Sequence, residues 1–116
     1  MKSDEALIHY VVEQIEKLED YLKNETETSF VLNAMLYDAC VLKIMVVGEY
    51  SSKLSRGFKA KYPEIEWRLI KAARNYYAHD YGDLTPERVW QTATTEIPLL
   101  KQQMEQILKD YNATNQ

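Results

Sequence analysis

Three glycines and three prolines in 116 residues leave too few turn-formers for a many-stranded fold. Between them run long stretches whose apolar residues recur at helical spacing, not with the alternation of a strand. The chain is therefore expected to be all-α, a bundle of four to five helices. A chain of 116 residues is one domain, 1–116, able to bury roughly 60 to 70% of its unfolded surface, enough for a core without staples.

Ser3 or Asp4 caps a first helix predicted to run to about Asn24, with Leu7, Val11, Ile15, Leu18 and Leu22 on its inward stripe. Its polar face is acidic, which argues against a membrane-surface role, and His9 reads as a surface residue. The polar stretch from Asn24 to Ser29 is a predicted connection, with Thr28 or Ser29 capping a second helix from about Phe30 to Leu54. Apolar residues occur on more than one side of that helix, as in one buried between others or one that also forms a subunit interface. Gly48 costs the helix roughly 1 kcal/mol relative to alanine, so a neighbouring backbone is expected to pack closely there. Glu49 beside it either supports a site or is solvated.

Ser51 to Tyr62 reads as a basic loop, broken at Arg56-Gly57. Pro63, Glu64 and Glu66 suit the first turn of a third helix, continued by Trp67, Ile70, Ala73 and Tyr77. Thr85-Pro86-Glu87 is a strong start signal for a fourth: a capping hydroxyl, a proline at the first helical position and an acid in the first turn. Pro98 predicts a kink or a new helix to about Tyr111, with Asn112 to Gln116 frayed.

The single cysteine, Cys40, lies in an apolar segment, which points to a buried structural thiol in a reducing compartment. No charged-then-apolar leader and no apolar run near eighteen residues is visible, so a cytoplasmic protein without a membrane span is expected. Net charge is −4, unevenly spread. Residues 1–52 hold four Lys or Arg against ten Asp or Glu, residues 53–74 seven against two, and residues 75–116 three against six, giving −6, +5 and −3. Within the basic island, Lys53, Arg56, Lys59, Lys61, Arg68, Lys71 and Arg74 are placed to bring an RNA backbone to the stretch that follows, although a solvated basic face has the same composition.

That stretch, Arg74-Asn75-Tyr76-Tyr77-Ala78-His79-Asp80-Tyr81, concentrates the chemistry. If it is helical, about 100° per residue puts Arg74, Ala78 and Tyr81 on one stripe and Asn75 and His79 on the next. Arginine offers phosphate a permanently charged fork, and histidine exchanges protons near neutrality. Asn75, one turn before His79, suits holding the ring or contacting substrate. A capping and packing cluster has the same make-up, and spacing alone leaves both open.

At these residues the sequence resembles the HEPN ribonucleases, in the subfamily of HepT toxins. Arg74, the polar Asn75, three variable positions, His79, one variable position and Tyr81 match the signature. Val47-Gly48-Glu49, Pro63-Glu64-Ile65-Glu66-Trp67, Val89-Trp90 and Ile97-Pro98-Leu99 resemble the subfamily's landmarks in order, from roughly Phe30 to Leu108. Glu66 stands where many relatives carry a second proline, and Gly82 where an aromatic is common. The resemblance implies a HEPN-like bundle and a metal-independent endoribonuclease, acting as the toxin of a type VII-like toxin–antitoxin pair. It further implies a homodimer with a shared cleft, and an MntA-like nucleotidyltransferase antitoxin that attaches AMP to Tyr81.

Cleavage of RNA by its own 2′-hydroxyl needs a base, an acid and a cation for the phosphate. One chain supplies one suitable histidine; a two-fold dimer supplies two copies each of His79 and Arg74 across one cleft. The expected roles are proton transfer for His79, phosphate binding for Arg74 and orientation for Asn75, with no cofactor. A metal site built from His79, Asp80 and Asp83 competes with this, but adjacent helical residues diverge by about 100° and no second histidine completes a familiar ligand set. A non-catalytic helical adaptor that binds RNA or a nucleotide, or partners the nucleotidyltransferase, is the alternative from another class, and a plain structural module a further one.

Overall fold

The computed structural model describes residues 3–79 and 82–114, and of Tyr81 the backbone alone. Four long helices make the bundle: α1 (Asp4–Leu22), α3 (Ala34–Ser52), α5 (Trp67–His79) and α7 (Ile97–Thr114). Shorter ones, α2 (Glu27–Val31), α4 (Arg56–Lys61) and α6 (Pro86–Gln91), lie between them. A 3₁₀ turn at Tyr81–Asp83 follows α5, and a π-helical turn at Thr92–Glu96 joins α6 to α7. No strand occurs among the described residues, so the fold is all-α as the composition requires.

The helix starts follow from capping side chains. Ser3 Oγ accepts the Ala6 N–H at 3.1 Å, and Thr85 Oγ1 accepts the Arg88 N–H at 3.2 Å with Pro86 at the first position, both as the sequence predicts. The predicted second helix is instead divided. Thr26 and Ser29 form a reciprocal capping box that opens α2, and Asn33 Oδ1 accepts the Leu36 N–H at 3.0 Å, opening α3 afresh. The asparagine cap overrides an apolar pattern that runs on through the break.

The predicted basic loop is also corrected, because half of it is α4. Ser55 Oγ accepts the Phe58 N–H at 3.1 Å. Ser55 in turn donates its backbone N–H and its hydroxyl to the Asp4 carboxylate, at 2.9 and 2.7 Å. The buried Phe58 anchors α4, and Gly57 has open space around it, so it breaks nothing. α5 starts at Trp67, four residues after Pro63, because the Glu66 carbonyl takes the first helical N–H groups, from Leu69 at 3.0 Å and Ile70 at 3.1 Å.

Pro98 has no N–H, and its ring collides with the carbonyl four residues back. The turn before it widens, with the Ile97 N–H reaching the Thr92 carbonyl five residues back, so the helical run passes the proline without ending. α7 then continues to Thr114, beyond the predicted end at Tyr111 and through Asn112 and Ala113, where fraying was expected.

The core gathers Val11, Ile15 and Leu18 of α1, Phe30, Cys40 of α3, Val89 and Met104 of α7. α3 packs on both α1 and α5, and α1 also packs on α7. Burial silences Cys40, pushing its thiol up to about 11. The many-sided apolar pattern of α3 has a split outcome: Val41, Ile44 and Val47 are buried, while Met35 is 84% and Leu42 56% exposed. His9 is exposed and faces Glu5 at 3.7 Å. Among the described residues, no helix is long and apolar enough to cross a membrane.

Candidate active site

α5 carries Arg74, Asn75 and His79, and tertiary contacts decide how each is presented. The N-terminal end of α5 is pinned first. Trp67 donates its indole N–H to the carbonyls of Lys59, at 3.1 Å, and Tyr62, at 3.0 Å, fastening the end of α4 to the start of α5.

Arg74 sits where α3 and α5 come closest. A Cβ built on Gly48 would lie 2.8 Å from the Arg74 Cβ and 3.2 Å from its Cγ, so the backbone neighbour expected at Gly48 is α5 at Arg74 itself. Arg74 Nε is 3.1 Å from Glu49 Oε2, with the arginine side chain 26% exposed. Sequence reasoning left Glu49 open between site support and solvation. Its adjacency to a glycine inside a long helix was the available signal.

Asn75 and His79 are exposed, His79 as the last residue of α5. His79 lies five positions after Arg74 on the helix, an angle of about 140°, so within one chain the two face different ways. His79 is still helical, so no loss of regularity turns it toward Arg74. The stripe predicted to join Arg74 and Tyr81 does not persist either. α5 ends at His79 and Tyr81 opens the 3₁₀ turn, its side chain outside the described residues.

The remaining tyrosines divide between core and surface. Tyr77 is buried; desolvation raises its phenol above the usual range, with Thr92 and Arg88 pulling the other way. Its hydroxyl meets Thr92 without good hydrogen-bond alignment. Tyr76 is 43% exposed, and its ring meets that of Tyr77 edge-on with centroids 6.3 Å apart.

Of the predicted RNA-binding residues, Lys53, Arg56, Lys61 and Lys71 are exposed. Lys53 Nζ lies 4.6 Å from the centre of the Tyr50 ring. Lys59 differs, since its ammonium donates to the Ser52 carbonyl at 2.8 Å and so caps the last turn of α3. Nothing local signals this use, because it depends on α4 forming as a helix after α3.

Beside Arg74 opens a groove of about 570 Å³, walled by Ile44 and Val47 of α3, Leu69, Ile70 and Ala73 of α5 and Leu100 of α7. Arg88, ion-paired with Glu96 at 3.0 Å, lies along it. Among the described residues no group of three His, Cys, Asp or Glu side chains is placed to hold a metal; Asp80, part of the competing metal reading, lies outside them.

The family model described as ribonuclease HepT-like matches residues 11–107. A candidate RNase of Methanocaldococcus jannaschii is 30% identical over 105 residues, 90% of this chain and 87% of that one. The ribonuclease HepT of Thermococcus cleftensis, so named as probable, is 26% identical over 108 residues, 93% of this chain and 98% of that one. A gamma-glutamylcyclotransferase and candidate RNase of M. jannaschii is 28% identical over 109 residues, 94% of this chain but 49% of that protein, so the chain spans about half of its length. No solved structure matches. A match across most of the bundle, including all of α5, places the signature in its family context: the chain belongs to the HepT-like family of ribonucleases.

Proposed function

We propose that the chain is an endoribonuclease that cleaves RNA without a metal, using Arg74, His79 and Asn75 at a cleft shared by two copies. The observation that carries this reading is the presentation of the signature. Arg74 is half-buried and fixed against α3, while Asn75 and His79 stand exposed on the neighbouring stripe of the same helix. In the reaction the 2′-hydroxyl oxygen attacks the adjacent phosphorus and its proton passes to an imidazole. The 5′-oxygen leaves and takes a proton from the imidazolium of the other copy. Arg74 bears the growing charge on the phosphate oxygens, and Asn75 orients the imidazole one turn away.

The angle between Arg74 and His79 favours a shared cleft, since one chain does not aim both at one phosphate. The outward face of α5 supplies apolar surface for such a pairing in Leu69, 58% exposed, and Tyr76, seven residues on. The exposed Lys53, Arg56, Lys61 and Lys71 suit contact with the RNA backbone.

Restraint of the enzyme belongs to the same reading. A nucleotidyltransferase antitoxin that places AMP on Tyr81 would add an anionic diester two residues from His79, competing with the RNA phosphate for the same cation. Tyr81→Phe should then escape silencing by that partner.

The test is cleavage of labelled transfer and messenger RNA by the unmodified protein in excess chelator, beside His79→Ala prepared identically. Cleavage by the parent alone is expected. Equal cleavage by both removes His79 from the mechanism; binding without cleavage by either selects the non-catalytic adaptor.

A further inference from the structure

Arg74 is held from two sides by consecutive residues of α3. Gly48 lets the α5 backbone come close enough that any Cβ there would press on the Arg74 Cβ at 2.8 Å. Glu49 meets the other end of the side chain, with Oε2 3.1 Å from Nε. Gly48 thus sets where the side chain starts, and Glu49 sets which edge of the guanidinium is turned inward.

A guanidinium has donors on three nitrogens, and phosphate recognition by a parallel pair uses two of them. Arg74 Nε is closed off from solvent. With its inner edge against Glu49, the Nη1 and Nη2 groups remain for a phosphate. A half-exposed pair of this kind adds little to folding stability, so its main consequence is orientation. The line from Nε to Oε2 lacks good hydrogen-bond alignment, so opposite charge holds the contact more than direction does.

We infer that Glu49 is a positioning residue for RNA cleavage: its carboxylate turns Arg74 so that both η nitrogens meet the scissile phosphate, and Gly48 provides the close approach this needs. The inference rests on the assignment of Arg74 to that phosphate. It also separates Glu49 from the acid–base chemistry, because its carboxylate is engaged by the arginine.

The experiment compares steady-state RNA cleavage by the parent, Glu49→Gln, Gly48→Ala and Arg74→Ala, with the pH–rate profile and the Arg74 Nε–H nuclear magnetic resonance signal of the first two. Glu49→Gln keeps the shape and removes the charge. Its kcat should fall about tenfold through misorientation of the phosphate ligand, with KM no higher, since a negative charge near the phosphate site has been removed. Both limbs of the pH profile should stay, and the Nε–H signal should move. Gly48→Ala should also lose kcat; if it fails to fold, Glu49→Gln carries the test alone.

Parental kcat in Glu49→Gln overturns the inference, as does loss of the acidic limb, which would make Glu49 a proton acceptor. A raised KM with unchanged kcat overturns it too, leaving only a binding role. Arg74→Ala separates the two levels of argument. If it cleaves like the parent, the assignment of Arg74 falls and the inference with it; if it is inactive while Glu49→Gln is parental, only the inference falls.

Discussion

The indole nitrogen of Trp67 lies 3.1 Å from the carbonyl oxygen of Lys59, so the helix that carries the signature is tied to the end of the helix that carries much of the basic island. The same N–H also reaches the Tyr62 carbonyl, at 3.0 Å, which makes it a clasp between α4 and α5. Trp67→Phe keeps the ring and removes the donor. We expect a loss of about 1 to 2 kcal/mol, the usual cost of leaving a partly buried acceptor unmet. Urea unfolding should register it as a lower midpoint at unchanged slope; an unchanged midpoint would mean that water replaces the indole without cost.

Lys59 and its basic neighbours should respond differently to removal. Replacing Lys61 and Lys71 by alanine should weaken binding of a non-cleavable RNA and flatten the dependence of log affinity on log salt by about 0.7 per lost phosphate contact. Lys59→Ala should instead lower the unfolding midpoint, since its ammonium closes the end of α3 through the Ser52 carbonyl. Fluorescence anisotropy across a salt series, beside thermal melts, separates the two effects. Equal salt slopes for the parent and for Lys61→Ala/Lys71→Ala would remove these lysines from the RNA path.

A cleft shared by two copies makes activity depend on concentration. Specific activity should be constant well above the dimer dissociation constant and fall in proportion to the dimer fraction below it. Dilution series of cleavage rate and of mass by light scattering should fall together. A monomer with undiminished specific activity would refute the shared cleft.

Cys40 provides a pH prediction with a fixed sign. Folding raises its pKa from an ordinary 9.0 to about 11, through burial. Between those values the native state holds a proton that the unfolded chain has released, so stability falls as pH rises. The contribution is fully present below about pH 9 and is lost as pH passes about 11. Burial also raises Tyr77 and Tyr37, which act in the same direction at alkaline pH, so the informative quantity is the parent minus Cys40→Ala. That difference should shrink across the window in denaturant melts. A thiol reagent at pH 8 should leave native Cys40 unmodified, and rapid native labelling would contradict its burial.

Much of this was legible in the sequence where the cause is local. Ser3 before α1 and Thr85-Pro86 before α6 act within one turn of themselves, so the residues that signal the helix are the ones that cap it. The helix in the basic segment was not legible, because Ser55 is locked by Asp4, 51 residues away. The division of α2 from α3 turned on Asn33, whose cap competes with an uninterrupted run of apolar neighbours. Pro98 announced a disturbance but not its form, since a kink, a break and a widened turn all relieve the same clash.

The site divides along the same line. The spacing of Arg74, Asn75 and His79 named the chemical groups and their order on a helix. The face on which Arg74 lies is set by its contact with Gly48, across a sequence gap that no periodicity reads. Glu49 gained its partner from that crossing and not from its own neighbours.

Gly48 places local helix propensity and the packing of two helices in opposition at one backbone position. Alanine there would improve the helix by roughly 1 kcal/mol, a gain that consensus-style stabilisation schemes routinely seek. The added methyl would have to displace the Arg74 side chain or part the two helices. Selection on helix propensity alone would replace this glycine, whereas the packing of α3 against α5 at Arg74 keeps it. Libraries of variants sorted first by thermal tolerance and then by RNA cleavage should therefore be depleted of Gly48→Ala in both sorts, against its helix propensity.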